Sequence, residues 1–227
     1  MKNILKVIFT MIFSFSWLFA ASGGDIFRSS LFVDQLEYQQ NDEKSTSWNS
    51  YLFAGYDLNK IYIYSEGEKP KDDKASSETR LLYSRAATSF WDIQAGFEYD
   101  KIPENSKTWA ILGFQGLAPY FFETQGSLLF SKDGNIGLKI DMEYDALLTQ
   151  RLILAPSAKF SAFNKDEKDI EIGKGVSNVT MGVRLRYEFT REFAPYIGYE
   201  WSKNYGNTNE YSTLNDEYVT FGLRFWI

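Results

Sequence analysis

Residues 218–227 alternate without a break, with Val219, Phe221, Leu223, Phe225 and Ile227 on one face and Tyr218, Thr220, Gly222, Arg224 and Trp226 on the other. Successive side chains of a strand point to opposite faces, so such a segment must lie between an apolar and a polar medium. The same alternation is clear over 91–100, 136–145, 178–189 and 193–202. Less regular stretches at 30–40, 47–57, 60–68, 78–87, 108–117, 119–131 and 150–162 bring the expected count to twelve strands. The connections alternate in length. Those at 57–60, 88–90, 117–118, 147–149 and 190–192 are short, while 41–46, 69–77, 101–107, 163–177 and 203–217 are long and polar. One short hairpin at 132–134 falls among the long ones. Short turns on one side, longer loops on the other and an even strand number mark a bacterial outer-membrane barrel. The expected fold is therefore all-β, a transmembrane antiparallel up-and-down β-barrel of about 12 strands.

The first residues read as an export signal. Lys2 and Lys6 precede an apolar run over 7–20, and Ala20, Ala21 and Ser22 form a small-residue cleavage region. The expected organisation is a signal peptide over 1–22, a short periplasmic segment over 23–29 and the barrel over 30–227. Losing the two signal lysines takes the formal charge from −6 to −8, which speaks against a nucleic-acid partner. Aromatic residues make up 18% of the chain, and Trp and Tyr are expected in girdles at the two membrane interfaces. The chain has no cysteine and no histidine, which excludes disulfides, the usual zinc sites and every His-dependent catalytic triad. An enzyme is not expected.

The phase of the strands turns charges of both signs into the lumen. Asp92, Glu98, Glu123, Asp141, Glu143, Glu188 and Glu200 are inward candidates, with Lys139, Lys159, Arg184, Arg186 and Arg224. Buried charges are ordinarily paired, so one reading is a salt-bridge network that narrows the pore. The other is a polar path or cation site built from carboxylates left over after pairing. Asp141, Glu143, Asp92 and Glu123 are the candidate metal ligands on that second reading. Copper would favour His, Met or Cys, yet Met142 and Met181 fall on the lipid-facing phase. The charge run at 165–169 reads as a solvated loop.

Several strings resemble one family. They include Leu82-Tyr83-Ser84-Arg85-Ala86, Phe90-Trp91-Asp92-Ile93-Gln94-Ala95-Gly96 and Gln115-Gly116-Leu117-Ala118-Pro119-Tyr120. Leu148-Thr149-Gln150-Arg151-Leu152-Ile153-Leu154, Arg191-Glu192-Phe193-Ala194-Pro195-Tyr196 and the closing Arg224-Phe225-Trp226 continue the series in order. These resemble the copper resistance protein B family of Gram-negative outer-membrane barrels. The resemblance implies a place in the cell outer membrane and a part in binding or passing copper ions. It implies contact with outer-membrane lipid and lipopolysaccharide, with the barrel-assembly machinery and with a periplasmic multicopper oxidase or copper carrier. Thr220, Gly222, Phe225 and Ile227 also look like the C-terminal signal that such machinery reads. The family typically carries a Met- and His-rich segment ahead of the barrel, and residues 23–29 hold neither residue. The alternative function is a passive or structural, porin-like barrel without a copper site.

Overall fold

The computed structural model describes residues 26–227 except 42 and 43, so the signal reading falls outside the described residues. Thirteen strands follow one another: β1 (Arg28–Gln39), β2 (Thr46–Gly55), β3 (Asn59–Lys69), β4 (Ser76–Ala86), β5 (Trp91–Lys101), β6 (Ser106–Ala118), β7 (Phe122–Phe130), β8 (Ile136–Glu143), β9 (Ala146–Leu147), β10 (Leu152–Phe163), β11 (Gly175–Tyr187), β12 (Phe193–Asn204) and β13 (Asn215–Trp226). Each pairs antiparallel with its neighbours, and β13 pairs with β1 to close the ring. The two-residue β9 continues β8 after a break at Tyr144 and Asp145, and both pair with β10. The described residues thus form a closed barrel of twelve staves, with no free strand edge among them.

All twelve expected strands are present, with one turn displaced. The ladder of β6 and β7 runs on through Ala118, paired with Phe122, and the turn is Pro119–Phe121 rather than 117–118. Proline has no N–H for the ladder, so pairing stops where Pro119 stands. A second irregularity lies in β1, whose register shifts between Val33 and Leu36 against both neighbours. Phe32 pairs with the inward Tyr51 and Glu37 with the inward-phase Ser47. Five positions apart, those two residues can share a face only if one extra residue is taken up between them.

The outer surface is apolar. Ile61, Ile63, Leu81, Ile93, Phe97, Leu112, Leu128, Ile197 and Phe221 are all exposed, and so are Met142 and Met181. On a barrel this belt is the lipid face.

The lumen is more apolar than the sequence suggests. Leu82, Trp109, Ile111 and Leu129 point inward and form one buried cluster with Tyr62, Tyr64, Phe163 and Ile170. Glycine makes room for the large rings: Phe163 lies across its cross-strand partner Gly137, where a Cβ would come within 2.5 Å of the ring. An aromatic covering a paired glycine in this way holds register and fills volume at once.

Ile170 comes from the connection over 164–174, just beyond the charge run at 165–169 expected as a solvated loop. Part of that loop folds into the barrel mouth. Glu167 accepts from Asn135 Nδ2 at 2.6 Å and is ion-paired with Lys107, whose ammonium lies 4.9 Å from the Trp109 ring centroid. Asn105 Nδ2 donates to the Asp169 carbonyl at 2.8 Å. At the loop base, Asp166 Oδ1 accepts from the Lys174 amide at 2.7 Å and from Asn207 Nδ2 at 3.0 Å, and these donors hold its carboxyl below the usual range. Four of the five residues of the charge run are exposed, as expected of a solvated loop, while Glu167 is half-buried and the apolar Ile170 just beyond the run is buried.

Candidate metal-binding lumen

Among the described residues, three ion-pair groups and one further pair sit inside the wall. In the first, Lys139 Nζ lies 2.7 Å from Glu98 Oε1 and also binds Glu78, which pairs with Arg80 Nε at 3.2 Å. Glu78, Glu98 and Asp100 each bring a carboxylate oxygen within 4.8 Å of the others. Lys139 supplies the cation there, and Trp109 Nε1 donates to Asp100 Oδ2 at 2.8 Å. In the second, Arg184 Nε and Nη2 meet Glu37 at 2.6 and 3.3 Å, Nη2 meets Glu200 at 2.7 Å, and Nη1 donates to Ser157 at 3.2 Å. Tyr196 and Tyr218 donate their hydroxyls to Glu37 and Glu200 at 2.9 and 2.7 Å. The third is nearer the short turns, where Arg224 pairs with Asp34 at 3.0 Å and Arg186 with Asp145 at 2.5 Å. Lys159 pairs with Glu66 between these groups.

The pairing is incomplete. Among the described residues, Glu123, Asp141 and Glu143 have no ion pair and no hydrogen bond from another side chain. Register places them side by side: Glu123 opposite Glu143 on β7 and β8, and Asp141 opposite Gln125 on one side and Lys159 on the other. Asp92 receives one hydrogen bond, from Ser84 at 3.2 Å. All four sequence candidates line one cavity of about 570 Å³. Its lining runs from Ser89 and Phe90 in a short turn inward to Glu66, Arg80, Lys159 and Glu200. Toward the long loops the Lys139 ion pairs and the Trp109–Leu129–Ile170 packing follow, and none of these residues lines the cavity. The cavity therefore occupies the turn-side part of the lumen.

The sequence did not reveal the opposite wall. Phe32, Tyr51, Phe53, Tyr62 and Tyr64 line the same cavity. Phe32 stacks on Tyr51 with centroids 4.8 Å apart, Tyr51 meets Tyr64 at 5.4 Å, and Phe53 meets Tyr62 at 5.6 Å. Trp226 closes the end of the ladder against Phe32 at 5.7 Å. Aromatics expected in the girdles are thus partly in the lumen.

A family profile described as Copper resistance protein B precursor matches residues 27–227. Copper resistance protein B of Escherichia coli is 40% identical over 200 residues, 86% of this chain and 68% of that protein. The chain belongs to the copper resistance protein B family. A copper resistance protein B homolog of Pseudomonas syringae pv. tomato is 35% identical over 205 residues, 87% of this chain and 70% of the relative. Among solved structures, the NanC porin aligns with a TM-score of 0.57 at 12% identity, covering 87% of this chain and 99% of the porin. The KdgM porin aligns at 0.50 and 13%, covering 87% and 98%. These two give the fold alone: the copper resistance protein B barrel is built like an outer-membrane porin.

Proposed function

We propose that this protein sits in the outer membrane and acts in copper homeostasis by taking copper ions into the turn-side cavity. The observation that carries this is the trio Glu123, Asp141 and Glu143, acids that make no ion pair and no side-chain hydrogen bond among the described residues, in a lumen whose other charges are mostly paired. An unpaired carboxylate inside a barrel is costly, and a bound cation removes that cost. Short turns face the periplasm in barrels of this kind, so the cavity loads from that side. A periplasmic copper carrier or multicopper oxidase is the partner this arrangement suits, alongside the surrounding lipid, lipopolysaccharide and the assembly machinery. The barrel binds its cargo and catalyses no reaction. Binding is favoured over free conduction because the ion layer at Lys139 and the packing around Ile170 stand between the cavity and the long loops.

Calorimetric titration of the refolded barrel with copper(II) tests the proposal. Saturable binding is expected. Glu143→Gln and Glu123→Gln should each weaken it by on the order of tenfold, because affinity in oxygen-ligand sites follows ligand charge. Affinity unchanged in the double variant would remove these carboxylates from the site. A porin-like barrel without a copper site would show no saturable binding at all.

A further inference from the structure

The ion layer at Lys139 holds more acid than its bases satisfy. Glu78, Glu98 and Asp100 converge there on Lys139 and Arg80. Glu78 receives Lys139 on one oxygen and Arg80 on the other. Glu98 receives Lys139 on Oε1, and Asp100 receives Trp109 Nε1 on Oδ2. Two oxygens remain, Glu98 Oε2 and Asp100 Oδ1. Both are buried and neither has a hydrogen bond among the described residues. Glu98 is itself fully buried, so its free oxygen has no water-filled side to turn to.

The surrounding charges do not supply the missing partner. Glu78 and Arg80 face the pair from β4, and Lys107 stands opposite Asp100 on β6. Lys107 is turned away to Glu167 and Asp133 of the long connections. On the far side, Lys159 of β10 is held by Glu66 of β3. Asp141, two residues along β8 from Lys139, adds only another negative charge.

The number of free oxygens decides what the site can take. Calcium wants about six to eight oxygen ligands and magnesium an octahedral set, and two oxygens cannot build either shell. A proton needs two: one oxygen to carry it and one to accept the hydrogen bond. Glu98 and Asp100 lie two positions apart on β5, so both point inward, and the oxygens of the three acids come within 4.8 Å of one another. A small rotation closes that gap to the about 2.5–2.7 Å of a bond between an acid and a carboxylate. With one proton, two negative charges face Lys139 and Arg80 and the group is neutral. Without it, a net negative charge stays buried, which is costly.

We infer that this group is a proton-binding site, with one proton shared between Glu98 and Asp100 at neutral pH. The proton completes the layer that stands between the cavity and the long loops, and its release leaves that layer with an extra negative charge. The site does not depend on the copper reading proposed above.

Infrared spectroscopy of the refolded barrel at neutral pH is the test, read at the carbonyl band of a protonated carboxyl. Exposed carboxyls, with ordinary values near about 4, are ionised there and give no such band. The wild-type barrel should show the band. Glu98→Gln and Asp100→Asn should each remove one carboxyl's share of it, and the double variant no more than either alone, because the proton is one and is shared. The change in gel mobility on boiling shows that a variant has folded, and either one suffices if the other does not. A wild-type barrel without the band would overturn the inference and leave water to bridge two ionised carboxylates. A band undiminished in a folded single variant, or one that falls twice as far in the double variant, would overturn it as well.

Discussion

Replacing Arg184 by leucine should destabilise the folded barrel by about 3–5 kcal/mol, the cost of leaving buried charges without their partner. Glu37 is 2% exposed and Arg184 8%, so in the intact barrel the guanidinium rather than water satisfies the Glu37 carboxylate. Without it, Glu37 keeps only the Tyr196 hydroxyl and Glu200 only that of Tyr218. Urea unfolding of the barrel in detergent or lipid is the measurement. The double variant Arg184→Leu with Glu37→Gln should regain much of the loss, because the stranded carboxylate is then neutral. A single-variant loss below about 1 kcal/mol, the level of an exposed pair, would mean that water enters this part of the lumen.

That network shows where sequence reasoning stops. The alternation places Arg184 and Glu200 inside the barrel, because β11 and β12 carry polar residues on one face and apolar ones on the other. Which acid meets which base is not in the alternation: Glu37 lies 147 positions from Arg184 and reaches it only because β13 closes on β1. Even the phase of Glu37 is hidden, since the bulge in β1 shifts it by one residue relative to Phe32. The candidate acids Asp141 and Glu143 were legible for the opposite reason. They lie in β8, where Ile140 and Met142 contrast with them at every step. Their lack of partners was not legible, because it depends on Lys139 and Lys159 being taken by Glu78, Glu98 and Glu66 from other staves.

The aromatic wall was missed for a third reason. In β3 the order Ile61-Tyr62-Ile63-Tyr64 is apolar on both faces, and Tyr51-Leu52-Phe53 in β2 is no better. Period-two reasoning needs contrast between faces, and here it has none. Only the pairing of Tyr64 with Arg80 and of Tyr62 with Leu82 fixes which set is inside. A ring in the lumen and a ring in a lipid-facing girdle are the same residue type, so composition cannot divide them.

Unseating the loop at 164–174 should raise the conductance of the barrel several-fold in planar bilayers, from a low wild-type level. Ile170→Asp is the stronger of two variants. It would put a carboxylate among Trp109, Leu129 and Phe163, where a charge costs several kcal/mol, so the loop leaves the mouth rather than bury it. Glu167→Ala is the milder one. It removes the acceptor of Lys107 and Asn135, charge-assisted contacts worth about 1.5–3 kcal/mol, and leaves Lys107 to Asp133 alone. Folding should survive both, since neither residue belongs to a strand of the wall. The current that appears should favour cations, because Glu66, Glu78, Glu98, Asp100 and Asp141 outnumber Arg80, Lys139 and Lys159 in the layer still to be crossed. Wild-type conductance in Ile170→Asp would show that the Lys139 ion pairs and the Leu82–Ile111–Leu129 packing close the lumen unaided. The loop would then be a cover over a sealed cup, and the copper proposed to enter at the turns would have to leave by the turns.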